Sequence, residues 1–219
     1  MQYQSTYRSS ENSKPNVIRV TGEGIVSIQP NKADVTLGAS TEDQSLSQAQ
    51  ESNAITISNI KKALNQIGIT NEQIQTVNYS IFPQYDYNDG KQIFRNYKVE
   101  HMLHITVEHI ENTGLVVDTA VSNGANTILG ISFDTSDYNQ YYQQALSLAI
   151  INAGQKAETI ANTIRVILTK APISVVENVQ DQEGPIPFHT TAFAKSEAAT
   201  PIQPGIIEII SSITAEFVY

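Results

Sequence analysis

Histidines are the only side chains here whose ordinary pKa suits general-base chemistry near neutral pH, and three of the four lie close together. They are His101, His104 and His109, in a segment that alternates polar and apolar residues as a strand does. On a strand, His101 and His104 point to opposite faces and cannot converge on one metal ion. The spacing therefore predicts histidines near the ends of a core face, with no metal site, and His189 stands alone in a loop.

Two short motifs imitate catalytic or phosphate-binding loops. Ser58 and Lys61 match Ser-x-x-Lys, yet they fall within a helix-like pattern and lack the companion motifs of β-lactamases. Gly22 and Gly24 lack the third glycine of a dinucleotide loop, and a strand continues after them, which predicts a β-bulge instead. The carboxylates form no recognisable pair. The sequence thus predicts no catalytic residue, no cofactor and no enzyme.

Composition narrows the class of partner. The 219 residues include no cysteine, which excludes disulfides and thiolate chemistry. Thirteen Lys and Arg against 22 Asp and Glu give a net charge of -9, without any basic run. Nucleic acids and anionic membranes are therefore not expected as partners.

The N-terminal segment, residues 1–15, is polar and lacks the pattern of a secretion signal. It is expected to be a disordered lead-in. The chain holds no apolar run of the roughly 20 residues that a membrane helix needs. The sequence therefore predicts a soluble protein in the cytoplasm, without an integral membrane segment.

Periodicity predicts a single domain over residues 16–219. Apolar residues at helical spacing indicate one long helix that ends at Gly68 and another over 138–164, and alternating segments indicate strands around them. The expected fold is an α/β (α+β) sandwich of mainly antiparallel sheet, with both long helices packed on one face. Its unequal halves would be 16–110 and 111–219, with a long loop over about 183–203.

A long hairpin is predicted between residues 76 and 109. Asn88-Asp89-Gly90 supplies the turn, and this glycine comes one place too early for a calcium-binding EF-hand loop. The aromatic side chains of this hairpin could form an interaction surface or stabilise it as cross-strand pairs. These residues are Tyr79, Tyr85, Tyr87, Phe94 and Tyr97.

The chain ends in a long β-type run, residues 206–219. Pro201, Pro204 and Gly205 form a turn that precedes it. A terminal strand needs a partner, which could lie in the same chain or in a neighbouring subunit.

Five motifs in order carry a resemblance to a known family. They are Val20-Thr-Gly22-Glu-Gly24 with Pro30 and Ala33-Asp-Val35, Pro83-Gln-Tyr85-Asp-Tyr87 with Gly90 and Tyr97, Gly124-Ala-Asn126 before Ile131-Ser-Phe133, the helix through Ala145, Ala149 and Ala157, and Pro201-Ile-Gln-Pro204-Gly205. The chain resembles the SIMPL-domain family from about Val17 to Tyr219.

The resemblance implies a bacterial protein of unsettled biochemistry, without established catalytic residues. Relatives of this kind include exported immunogenic and stress-linked proteins, and at least one resembles a ring- or channel-shaped homo-oligomer. The leading hypothesis is a non-enzymatic assembly or binding protein that self-associates through strand edges. The alternative is a small-ligand or enzymatic site between the helical layer and the loop over 183–203, and a kinase-pathway adaptor comes third.

Overall fold

The computed structural model describes residues 15–178, 186–188, 200 and 202–219. The predicted lead-in before residue 15, His189, Pro201 and most of the loop over 183–203 lie outside these residues. Nothing in the described part therefore tests a site beneath that loop.

The described elements are antiparallel sheets and helices, which confirms the mixed α/β class. The strands are β1 (Val17–Ile28), β2 (Lys32–Asp43), β3 (Ile74–Asn88), β4 (Lys91–Val107), β5 (Thr127–Asp134), β6 (Ser174–Glu177), β7 (Ile186–Phe188) and β8 (Ile206–Val218). The helices are α1 (Leu46–Gln66), α2 (Thr113–Ser122) and α3 (Tyr138–Ile164), with single 3₁₀ turns at Asn71–Gln73 and Ile110–Asn112.

One compact unit comprises Ser27–Tyr138 and Glu183–Glu208. Its sheet has the order β3-β4-β2-β5, and its core joins α1 and α2 to the inner faces of β2 and β4. Both helices end where the sequence predicts, at Gly68 (φ +95°) and Gly124 (φ +105°). Glycine favours these left-handed positions because it lacks a Cβ atom. The buried stripe of α1 consists of Ala49, Asn53, Ile57, Ile60 and Leu64.

The other unit comprises Met1–Val26, Asn139–Gln182 and Ile209–Tyr219. Here β8 lies between β1 and β6, so the terminal strand finds its partners within its own chain. Its side chains alternate between buried and half-buried, as expected for a central strand covered on one face. The two long helices belong to different cores, because α3 packs with β1 and β8.

The glycines of β1 allow α3 to approach the strand closely. A Cβ atom on Gly22 would lie 2.0 Å from the carbonyl oxygen of Ala149, and one on Gly24 would lie 1.9 Å from that of Ala145. Burial alternates without interruption through both glycines, which is not the pattern of a bulge. The predicted bulge is therefore corrected to a strand whose glycines make room for a helix backbone.

Replacing Gly22 with alanine should destabilise the protein, because the new methyl group would overlap a backbone carbonyl that cannot rotate away. We expect the free energy of unfolding to fall by about 1–3 kcal/mol, the usual cost of overpacking a core. Gly154→Ala is the matched control, because a Cβ atom there meets open space within α3. It should raise stability by up to about 1 kcal/mol through helix propensity. Urea denaturation of both variants measures the difference, and equal stabilities would contradict the close approach.

Candidate functional site: the hairpin arm and its base

The hairpin of β3 and β4 extends beyond the sheet that contains it. Strand β2 pairs with β4 only from Tyr97 to Val107, whereas β3 pairs with β4 up to the turn. We call residues 84–96 the hairpin arm, because in the described part of the chain its two strands pair only with each other. At its tip Asp89 (φ 50°) and Gly90 (φ +75°) both adopt positive φ, as a type I′ turn requires. The sequence predicts this turn correctly.

Three of the five predicted aromatic residues meet on one face of the hairpin. Tyr85 lies opposite Phe94, with ring centroids 5.9 Å apart in an edge-to-face arrangement. The Phe94 ring is also 5.0 Å from that of Tyr97. Tyr87 stays outside this cluster and is 76% exposed, while the Tyr79 ring contacts His101 at 5.3 Å. The cluster thus consists of cross-strand pairs that leave much of their surface in solvent.

The opposite face of the hairpin also carries exposed apolar side chains. Phe82 is 48% exposed and Ile93 is 52% exposed. Strand β4 contains an irregularity at Arg95, which has no paired residue on β3. The Arg95 guanidinium lies 3.9 Å from the carboxylates of both Glu42 and Asp86. The arm therefore combines apolar side chains on both faces with charges of both signs.

The histidines near the arm separate as the strand pattern predicts. His101 is half-buried on the α1 side, where its Nε2 lies 3.0 Å from Thr76 Oγ1. His104 lies on the other side, with its Nε2 3.3 Å from Asp34 Oδ1. Burial, and secondarily the positive charge of Lys61, lowers the pKa of His101. Among the described residues no three His, Cys, Asp or Glu side chains come close enough to hold a metal ion.

A groove of about 520 Å³ runs along α1 at the base of the arm. The sequence interpretation missed it, although Asn53 was a signal, because it is a polar residue within an apolar stripe. Asn53 is 1% exposed and lines the groove. Ser58 and Lys61 also line it, but no hydrogen bond joins their side chains in the structure, so the motif forms no dyad.

The turn before β8 is held by α2. Thr200 donates hydrogen bonds to the Asp118 carboxylate from its backbone nitrogen (2.9 Å) and from its hydroxyl (2.5 Å). These bonds, the hydroxyl contribution being the larger, lower the pKa of Asp118. Pro204 and Gly205 follow without regular secondary structure and lead into β8, in keeping with a structural motif.

Acid should destabilise the protein partly through His101. Its pKa is lower in the folded than in the unfolded chain, so the unfolded chain binds more protons below about pH 6.5. This contribution is fully present above about pH 6.5 and is lost as the pH falls toward the folded pKa. We expect His101→Gln to reduce the difference in unfolding free energy between about pH 7.5 and pH 5.

His109→Gln is the control for this experiment, because the side chain of His109 is 77% exposed. Chemical denaturation across the pH series compares both variants with the original protein. An unchanged pH dependence in His101→Gln would show that the burial of this ring has no energetic effect.

Curated relatives of the chain are bacterial. It is 26% identical over 205 residues to the 26 kDa periplasmic immunogenic protein of Brucella melitensis, covering 88% of this chain and 80% of the relative. It is also 31% identical over 99 residues to the uncharacterized protein YggE of Escherichia coli K12, covering 45% of this chain and 39% of the relative. This comparison contradicts the cytoplasmic location predicted from the sequence, because relatives that match most of the chain are named as periplasmic.

One family model matches nearly the whole chain. It is described as SIMPL, a protein of unknown function (DUF541), and it covers residues 18–217. That range includes all five motifs on which the resemblance rests. No helix in the described part is long and apolar enough to cross a membrane. The chain belongs to the SIMPL family.

Proposed function

We propose that this protein is a non-enzymatic assembly and binding protein of the bacterial envelope, and that it self-associates through the hairpin arm. One observation carries the proposal. Apolar side chains are exposed on both faces of the arm, and no third strand pairs with the arm among the described residues. Expectations based on the terminal strand no longer support it, because β8 is central in its sheet.

The energetics of an isolated hairpin favour a partner for the arm. A two-stranded hairpin is marginally stable in water at best, and contact with further apolar surface stabilises it. Tyrosine and phenylalanine are enriched at protein interfaces because they bury large areas with few rotatable bonds. Tyr85, Tyr87 and Phe94 provide such area at the surface.

Strand pairing offers a second source of affinity. Strand β3 is at the edge of its sheet as far as the described residues show, so one row of its backbone donors and acceptors is open to another strand. A second copy of the arm could add to this edge by β-augmentation, which forms main-chain hydrogen bonds without specific side chains. An interface between identical arms would have two-fold symmetry.

The charge of the arm permits contact between copies. The whole chain has a net charge of -9, which opposes association. The arm, in contrast, carries two acidic residues, Asp86 and Asp89, and two basic residues, Lys91 and Arg95, so its own net charge is zero. Antiparallel contact between two arms can place opposite charges against each other.

The envelope location is supported by the relatives named as periplasmic immunogenic proteins. The non-enzymatic part of the proposal rests on the sequence, in which no catalytic constellation is recognised. His101 and His104 lie on opposite sides of the sheet and do not share a site. The rival site beneath the loop over 183–203 has no supporting observation in the described residues.

Removing aromatic surface from the arm should weaken self-association. In the double variant Tyr85→Ser/Phe94→Ser, we expect the mass measured by light scattering after size-exclusion chromatography to fall toward that of one chain. The expected loss is at least about tenfold in association constant, because each buried aromatic contributes on the order of 1 kcal/mol or more to such interfaces.

Leu115→Ser is the matched control, because Leu115 is exposed to a similar degree (45%) but lies on α2. It should leave the mass unchanged. Circular dichroism confirms that each variant remains folded. The proposal fails if the original protein is monomeric throughout the micromolar range, or if the folded double variant assembles as strongly as Leu115→Ser.

A further inference from the structure

The groove along α1 has the size and lining of a small-molecule site. Its volume of about 520 Å³ falls within the range of protein ligand pockets, roughly 300–1,000 Å³. One wall is α1 and the other is formed by Tyr79 of β3 and His101 of β4, with Asn71 at one end. Side chains from three parts of the chain therefore converge on one space.

The charged residues that line the groove are all basic. Lys61 and Lys62 line it, and no carboxylate does so, although acidic residues outnumber basic ones in the chain. Neither lysine forms an ion pair with any carboxylate in the described part of the chain. The nearest acidic residues along the sequence, Glu51 and Glu72, are absent from the lining. This local excess of positive charge favours an anionic ligand.

A buried acceptor in the same groove lacks a partner. The Asn53 side-chain nitrogen donates to the carbonyl oxygens of Ala39 (3.0 Å) and Val99 (3.2 Å), which fixes the orientation of the amide. Its Oδ1 atom is buried and accepts no hydrogen bond in the structure. Buried polar atoms are nearly always paired, and because Asn53 lines the groove, a bound ligand could provide the donor for this oxygen. A ligand hydroxyl group would satisfy it.

Tyr79 and His101 can complete the recognition of an anion with hydroxyl groups. The Tyr79 hydroxyl accepts a hydrogen bond from Gln50 Nε2 at 3.3 Å, so its own proton remains available to a ligand oxygen. The rings of Tyr79 and His101 meet edge to face, nearly perpendicular to each other, and supply aromatic surface on this side of the groove. Aromatic surface of this kind suits the carbon skeleton of a small polyhydroxylated compound.

We infer that this groove is a binding site for a small hydroxylated organic anion, in which Lys61 and Lys62 attract the anionic group and Asn53 accepts a hydroxyl proton. The anionic group is a carboxylate or a phosphate, since both are recognised by lysine. The inference does not depend on self-association, because every residue of the lining lies outside the hairpin arm.

Nuclear magnetic resonance titration of the full chain tests the site. Gluconate is the probe that carries a carboxylate, and glycerol 3-phosphate is the probe that carries a phosphate. Glycerol and glucose are the uncharged controls. Acetate and inorganic phosphate are the anionic controls without hydroxyl groups. We expect one of the hydroxylated anions to shift the Asn53 side-chain amide signals at millimolar concentration, with weaker or no shifts from all controls.

Variants separate a specific site from a general charge effect. Lys61→Met and Lys62→Met should each weaken binding several-fold, and together they should weaken it at least about tenfold. Lys91→Met removes the same charge from the arm, away from the groove, and should leave the affinity within about twofold. Because neither groove lysine belongs to the buried stripe of α1, these variants keep that stripe intact. Tyr79→Phe should lower the affinity without changing net charge.

Three results would overturn the inference. The first is that neither gluconate nor glycerol 3-phosphate shifts the signals of groove residues at about 10 mM. The affinity would then be too weak for specific recognition. The second is that Lys91→Met weakens binding as much as the groove lysine variants, which would indicate non-specific attraction. The third is that acetate or inorganic phosphate binds as tightly as the hydroxylated anions, since the Asn53 acceptor would then contribute nothing.

Discussion

The contact between the glycines of β1 and the alanine stripe of α3 constrains how β1, α3 and β8 pack in their common core. Five alanines of α3, from Ala145 to Ala161, are at most 1% exposed. Small side chains on the helix and missing side chains on the strand let the two backbones approach to a distance that any Cβ atom on Gly22 or Gly24 would prevent. Larger apolar residues of the same core, such as Ile213 and Phe217, lie on β8. The position of β1 beside β8 therefore depends on residues that have almost no side chain.

In the unit that carries the arm, a difference in strand length creates the candidate surface. Strand β4 has 17 residues, but β2 pairs with it only from Tyr97 onward. The remaining part of β4 has β3 as its sole strand partner in the described structure, so apolar residues on both of its faces stay exposed. The contact of Arg95 with Glu42 joins the arm to β2, whereas its contact with Asp86 joins the two strands of the arm. An extended hairpin with such a fixed base is suited to present a surface to a partner.

Local signals in the sequence predict much of this architecture. Gly68, Gly124 and the Asn88-Asp89-Gly90 turn have local conformational requirements, and the structure meets each of them. The opposite faces of His101 and His104 follow from strand geometry alone. Features that depend on distant residues were not accessible in this way. The role of Gly22 depends on a helix more than 100 residues later, and the central place of β8 depends on the order of strands. The predicted cellular location was wrong because it rested on the composition of the first residues. Cellular location is not determined by the physics of the fold.

Asn53 breaks the apolar periodicity of α1, but the break by itself does not reveal what the residue does. Its position in the stripe of α1 suits an apolar residue, and its amide replaces packing with hydrogen bonds to Ala39 and Val99. Two such bonds contribute about 1–3 kcal/mol together, and leaving Oδ1 unpaired costs about 1–3 kcal/mol. The two effects nearly cancel, so the amide adds little to stability. The amide instead determines orientation. Its bonds to β2 and β4 fix how α1 lies across the sheet, and they also fix the direction of the unpaired oxygen. An apolar residue could match the stability of this position but would leave the groove without an acceptor.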